Sequence, residues 1–280
     1  MNKPKNACES SLSLPSMKGL PLLLVLAVVV LALPVCNAAC VNLTNSSTYQ
    51  GNVQGNMTNG FTVNGSITLC KGTYAFSGVA ALTVNATNVT INCNGSSITG
   101  NGAGYGVYST MFNTTVENCN ISGFYSAIYF DSGANNGTIL DNNLNSTPSA
   151  GATIMLAGSN NAVLFNNVYN SMSDAGEFIA VLLDGTLNNV SYDNISGGYL
   201  AVYIASNNNT ITYDNISSGA GHSPGFSATA HATLAEPQVF GYVEETTRRS
   251  GGHTKGDDVN RWGRQIRVKM VWLPERNRFP

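Results

Sequence analysis

One six-residue pattern returns through the middle of this chain, and it constrains the fold more than any other feature. It reads Val116-Glu117-Asn118-Cys119-Asn120-Ile121, then Ile139-Leu140-Asp141-Asn142-Asn143-Leu144, then Val163-Leu164-Phe165-Asn166-Asn167-Val168. It continues as Val190-Ser191-Tyr192-Asp193-Asn194-Ile195 and Ile211-Thr212-Tyr213-Asp214-Asn215-Ile216. Ile98 ends an earlier, less regular member. The closing residues Ile98, Ile121, Leu144, Val168, Ile195 and Ile216 lie 23, 23, 24, 27 and 21 residues apart. A period in this range means stacked units, each too small to bury its own apolar face.

Within each unit the apolar positions alternate as in strands, with β-branched and aromatic residues filling them and Asn, Gly and Ser between. A second apolar run recurs as Val107-Tyr108, Ile128-Tyr129-Phe130, Ile154-Met155-Leu156, Val181-Leu182-Leu183 and Val202-Tyr203-Ile204. Each unit therefore contributes at least two short strands. Helical patterning is missing, and a coil that winds on itself is the way to place strands in parallel without helical crossovers. Equivalent positions then become ladders at strand spacing. Val116, Ile139, Val163, Val190 and Ile211 form an inner apolar column, as do the closing residues. Cys119, Asn142, Asn166, Asp193 and Asp214 fall at a bend, where amide side chains can bond to backbone and to each other along the stack.

The N-terminus reads as a secretory signal. Lys18 precedes an apolar run from Leu20 to Leu33, with small residues around Cys36-Asn37-Ala38 before a cut. The run is short of the roughly 18 residues of a membrane span, so cleavage after Ala38 is expected and no span after it. Met17 is an alternative start. A lipoprotein reading would need Cys36 or Cys40, and neither follows a good lipid-attachment sequence. Four cysteines remain beyond the cut: Cys40, Cys70, Cys93 and Cys119. An even number in an exported chain suggests disulfides, with three connectivities open. Cys93 and Cys119 stand about one repeat apart, which favours Cys40–Cys70 with Cys93–Cys119. The alternative is that the latter two are small buried residues.

Charge is uneven. Residues 41–221 hold eight acids and one basic residue, Lys71, for a net charge of −7, with no Arg, His or Trp. Such a surface disfavours nucleic acid, anionic membranes and polyanionic sugars. The same stretch holds fifteen Asn-X-Ser/Thr sequons. Three of them, opened by Asn120, Asn194 and Asn215, share one column. Glycans there would require that column to face solvent.

The segment Asn88-Val89-Thr90-Ile91-Asn92-Cys93-Asn94-Gly95-Ser96-Ser97-Ile98-Thr99-Gly100, with Ile67-Thr68-Leu69-Cys70-Lys71-Gly72-Thr73-Tyr74 before it, resembles the opening of parallel β-helix repeat proteins of the pectate-lyase-like group. These include secreted polysaccharide lyases and hydrolases, periplasmic carbohydrate-binding proteins and archaeal surface proteins. The resemblance spans roughly residues 40–221. It implies an all-β, right-handed, single-stranded parallel β-helix of about six coils. It is unspecific for chemistry, because such a fold hosts many activities.

Catalytic residues of the resembled enzymes find few counterparts. The lyases need a basic proton abstractor and Ca²⁺-holding acids, and the hydrolases share paired Asp with Gly-His-Gly and Arg-Ile-Lys motifs. Neither motif occurs, and Gly221-His222 is followed by Ser223. The presentable residues are Asp193 and Asp214, stacked 21 residues apart, together with Lys71. Two stacked carboxylates would share a proton, hold a cation such as Ca²⁺, or splay apart. The competing reading is that they replace Asn in the bend ladder. His222, His231 and His253 lack ligand spacing, so no metal site is expected from them. Phe165, Tyr192 and Tyr213 align in successive units, with Tyr108, Tyr129 and Tyr203 in the other strand. Outward, they would stack on sugar rings. Their strand parity with the apolar columns places them inside instead.

Composition changes near Gly221. The expected organisation is a signal peptide over 1–38, an N-terminal cap and first coil over 39–80, repeats over 81–221, and an atypical charged tail over 222–280. Gln265–Trp272 alternates like a strand and could cap the last coil. The rival reading is a disordered or foreign tail. The expected role is that of a secreted or cell-surface module with a structural, adhesive or glycan-binding function. Its partners would be glycans or neighbouring surface proteins. A polysaccharide lyase or glycoside hydrolase is the alternative.

Overall fold

The computed structural model describes residues 40–44, 52–146, 151–171, 178–197, 200–217, 224–228, 232–235, 238–240 and 242–245. The expected signal segment, the three histidines and Gln265–Trp272 lie outside these residues.

Among the described residues every regular element is a strand, and the strands form three sheets. Sheet I opens with an antiparallel pair, Val53–Asn56 against Gly60–Val63, and continues in parallel through Ala80–Val84, Tyr105–Ser109, Ser126–Phe130, Ala152–Leu156, Ile179–Leu183 and Leu200–Ile204. Sheet II runs from Ile67–Thr68 through Thr90–Asn92, Thr115–Glu117, Thr138–Leu140, Ala162–Leu164 and Asn189–Ser191 to Asn209–Thr212 and beyond. Sheet III runs from Thr73–Ala75 through Ser97–Thr99, Asn120–Phe124, Asn143–Ser146, Asn167–Asn170 and Asn194–Gly197 to Asn215–Ser217 and beyond. The chain visits I, II and III in turn, so each circuit is one coil of a parallel β-helix. Six coils fill Ala80 to Ser217. Each repeat thus gives three strands, because the six-residue pattern itself bends between sheets II and III. The sheets run on past residue 221, where the composition changes: Pro224–Ala228, Ala232–Ala235 and Gln238–Phe240 join sheets I, II and III in parallel.

Register is set by aliphatics stacked on aliphatics. Val116, Ile139, Val163, Val190 and Ile211 pair in sheet II. Ile98, Ile121, Leu144, Val168, Ile195 and Ile216 pair in sheet III. Val107, Ile128, Ile154, Val181 and Val202 pair in sheet I. All are buried in one continuous core, with Phe124 and Phe130 its largest enclosed side chains. Each such aliphatic stabilises the fold by about 1.5–3 kcal/mol. A slip of one residue would turn a whole column outward.

The coil turns its corners on left-handed residues. Between sheets I and II these are Asn88, Asn113, Asn136, Asn160, Leu187 and Asn208, with φ of 57°, 56°, 57°, 58°, 59° and 62°. Between sheets II and III they include Asn118, Asp141, Phe165, Tyr192 and Tyr213, with φ of 55°, 53°, 57°, 61° and 59°. Asn and Asp tolerate this backbone because their short polar side chains bond locally, whereas other side chains meet a cost of about 1–2 kcal/mol.

A corner interrupts the strand ladder, so its amides need other partners. At the I–II corner the amides of Gly137, Asn161 and Asn188 donate to Oδ1 of Asn161, Asn188 and Asn209 in the following coil, at 2.6, 2.9 and 2.8 Å. These asparagines are buried. The sequence reading missed this ladder, although Asn161, Asn188 and Asn209 each open a strand or stand directly before one.

Two disulfides, Cys40–Cys70 and Cys93–Cys119, staple the first coils. Both match the pairing favoured by spacing.

Candidate functional site

The II–III corner puts three consecutive residues of each repeat to different uses. The left-handed residue turns outward, the next turns inward, and the third turns outward again. Strict alternation from Val163 would bury Phe165, and the sequence reading expected that. The positive φ rotates the chain by one step, so Phe165, Tyr192 and Tyr213 are instead 54%, 52% and 50% exposed. Their rings stack in a row, with centroids 5.1 and 5.0 Å apart and planes 12° and 10° from parallel.

Stacking at coil spacing covers each ring with its neighbour, so the row meets solvent mainly along its edges. Phe165 is its first member. In the preceding coil the equivalent position is Asp141, which has no ring to stack on it. There a groove of about 500 Å³ opens, lined by Phe165, Asp141 and the side chains of Asn92, Asn94, Asn118 and Asn143 among others. It crosses four coils, hence about 15 Å along the axis. Asn92 Nδ2 donates to Glu117 Oε1 at 2.7 Å near one end.

Beside the aromatic row runs an outward amide ladder. Nδ2 of Asn167, Asn194 and Asn215 donates to Oδ1 of Asn143, Asn167 and Asn194, at 3.0, 2.9 and 3.0 Å. Sequon residues Asn194 and Asn215 belong to it and are exposed. Asn120 is half-buried, with Nδ2 donating to the Gly95 carbonyl at 3.1 Å.

The inward residues form a third ladder. Backbone N–H groups of Cys119, Asn142, Asn166 and Asp193 donate to Oδ1 of Asn142, Asn166, Asp193 and Asp214, at 2.9, 3.0, 2.5 and 2.7 Å. Asp193 and Asp214 are 2% and 1% exposed. Burial pushes their carboxyls up to about 7 and about 8, opposed by the hydrogen bonds from Asn166 and Asp193 respectively. Lys71, in the turn before the first of these coils, stands five coils from Asp193 and six from Asp214, about 25–30 Å along the axis at strand spacing. The three residues therefore share no cleft. A cation between the two acids would find one committed oxygen on each and an aliphatic interior, far from the six to eight oxygens Ca²⁺ takes. Among the described residues no group of three or more His, Cys, Asp or Glu could hold a metal ion.

A second aromatic cluster lies on the outer face of sheet I. Tyr108 and Tyr129 stand on the opposite parity from Ile128 and Phe130, so they too point away from the core. The Tyr108 hydroxyl donates to Asp131 Oδ2 at 2.8 Å, and Tyr105 stacks on Tyr108 with centroids 5.4 Å apart. Burial, reinforced by the Asp131 charge, pushes Tyr108 and Tyr129 up to about 12. The Ser132 amide and Tyr108 hydroxyl hold Asp131 below the usual carboxylate range. Asp131 has no local mark in the sequence, because it meets Tyr108 only across coils.

Comparison with protein-family models, curated proteins and solved structures returns no match to this chain. Among the described residues no helix is long and apolar enough to cross a membrane.

Proposed function

We propose that this chain is a secreted or cell-surface β-helix that binds neutral glycans at the II–III corner, without turning them over. The observation that carries this reading is the exposed row Phe165, Tyr192 and Tyr213 set beside an amide-lined groove. Holding three rings in left-handed backbone costs about 1–2 kcal/mol each. Two stacked pairs return about 0.5–1.5 kcal/mol each, so stability alone gives little reason for them. Strain kept at an exposed site points to use.

The chemistry suits sugars. The uncovered face of Phe165 offers a platform for the C–H face of one pyranose ring. Amide side chains present a donor and an acceptor together, as sugar hydroxyls require. The net charge of −7 over residues 41–221 selects against anionic polymers. Two disulfides fit an oxidising compartment. The resemblance to pectate-lyase-like proteins supports a carbohydrate partner.

A panel of neutral and acidic polysaccharides, titrated calorimetrically, tests the proposal. Binding to a neutral glycan that is lost in Phe165→Ala and kept in Tyr213→Ala supports it. Binding unaffected by Phe165→Ala refutes the site. New reducing or unsaturated ends, with or without Ca²⁺, would establish the lyase or hydrolase alternative.

A further inference from the structure

We propose that Asp193 and Asp214 fold as neutral carboxylic acids, occupying asparagine rungs, and that their ionisation loosens the later coils as pH rises. This is independent of glycan binding.

The geometry of the rungs leads to it. Asn142 and Asn166 each use both ends of the amide. Oδ1 accepts an amide of the preceding coil, while Nδ2 donates to a carbonyl of that same preceding coil: Val116 at 3.0 Å for Asn142 and Ile139 at 2.9 Å for Asn166. Asn166 Nδ2 also reaches the Leu164 carbonyl at 3.0 Å. In the next two rungs Oδ1 keeps its role. The atom in the place of Nδ2 is Oδ2, buried and without a hydrogen-bond partner in both Asp193 and Asp214. By register the carbonyls behind it are those of Val163 and Val190, which continue the Val116 and Ile139 column. A carboxylate oxygen cannot donate there, and an ionised one would be repelled by the carbonyl. A protonated Oδ2 donates as Nδ2 does. The pair is also stacked, so each negative charge disfavours the other.

No other titratable group inside competes for the proton. Inward side chains around the pair are Val163, Val190 and Ile211 from sheet II and Val168, Ile195 and Ile216 from sheet III, with Leu183 and Ile204 from sheet I. The one polar neighbour is Asn166, whose Nδ2 donates to Asp193 Oδ1 at 2.9 Å and opposes the effect of burial without reaching Oδ2. Tyr192 and Tyr213 point out to solvent, and Asp141 and Asp184 are exposed. Burial raises both carboxyls, in the same direction as the geometry requires.

The sign follows. A carboxyl whose folded pKa is raised contributes full stability below its unfolded value, near 3.8. That contribution declines as pH climbs, and is gone above the folded values of about 7 and about 8. Between these limits each carboxyl shifts the unfolding equilibrium by up to roughly tenfold per pH unit.

The test compares the wild type with Asp193→Asn/Asp214→Asn in urea unfolding from pH 4 to pH 9. The expected result is a wild-type unfolding constant that rises relative to the variant by up to about a hundredfold per pH unit near pH 5. The difference should level off above pH 8. Parallel slopes overturn the proposal. So does a variant that fails to fold, since Asn already fills two rungs. Infrared difference spectra of ¹³C-Asp protein, wild type minus Asp214→Asn, give a second reading at pH 6. A protonated carbonyl band supports the assignment and a carboxylate band overturns it.

Discussion

The amide of Asn142 donates to Asn166 Oδ1 at 3.0 Å, and Asn166 Nδ2 reaches back to the Ile139 carbonyl at 2.9 Å. One side chain thus serves the coil before its own twice, once as acceptor and once as donor, at a corner where the strand ladder is interrupted. Such a residue has no apolar substitute. Asn166→Leu is of similar size but orphans the buried Asn142 amide and takes one donor from the Ile139 carbonyl. The orphaned amide costs about 1–3 kcal/mol and the lost donor about 0.5–1.5 kcal/mol more. Urea unfolding should show a loss of about 2–5 kcal/mol, larger than for Asn167→Leu on the outward ladder next door.

Leu187 is 56% exposed and left-handed, with φ of 59°. No stacked partner offsets its backbone cost, and the same corner holds Asn in five other coils. Leu187→Asn is expected to stabilise the protein by about 1 kcal/mol. A thermal melt that moves downward contradicts this. Tyr192→Asn makes the same backbone gain but gives up two stacked pairs, so its net change should lie within about 1 kcal/mol of zero.

Burial first, and Asp131 next, push Tyr108 and Tyr129 up to about 12. Asp131→Asn removes the charge and should bring both titrations down, as read by ultraviolet absorbance. Asp131 itself, held below its ordinary value by the Ser132 amide first and Tyr108 next, stabilises the fold above its unfolded pKa. That contribution is lost as pH falls through the folded value, opposite in sign to the buried pair Asp193 and Asp214.

Cys93–Cys119 closes a loop of 26 residues. Constraining the unfolded chain over that span contributes about 3 kcal/mol. Cys93→Ser/Cys119→Ser should lower stability by about that amount in urea, and reductant should then affect the variant less than the wild type.

How much could be read beforehand divides at the corners. The columns through Ile139 and Leu144 follow from periodicity, because like residues one coil apart must stack to be buried. The ladder through Asn142 and Asn166 was legible for the same reason. The outward turn of Phe165 was not. Alternation assumes an extended backbone, and one positive φ reverses it. A clue stood in the same column, where Asn118 and Asp141 are residues that accept left-handed backbone. The groove was beyond reach, since it joins Asn92, Asp141 and Phe165 from separate coils and depends on which side chains are short. Asp193 and Asp214 were seen as asparagine substitutes, but their missing donor shows only when the Oδ2 atoms are found buried and unpaired.

Both covalent staples lie in the earliest turns, at Cys40–Cys70 and Cys93–Cys119. The acid rungs lie several turns later. Resistance to mechanical pulling should therefore be graded along the axis, with peeling starting at the unstapled turns and stopping where sulfur takes over from amide. Alkali would act on the weak end first.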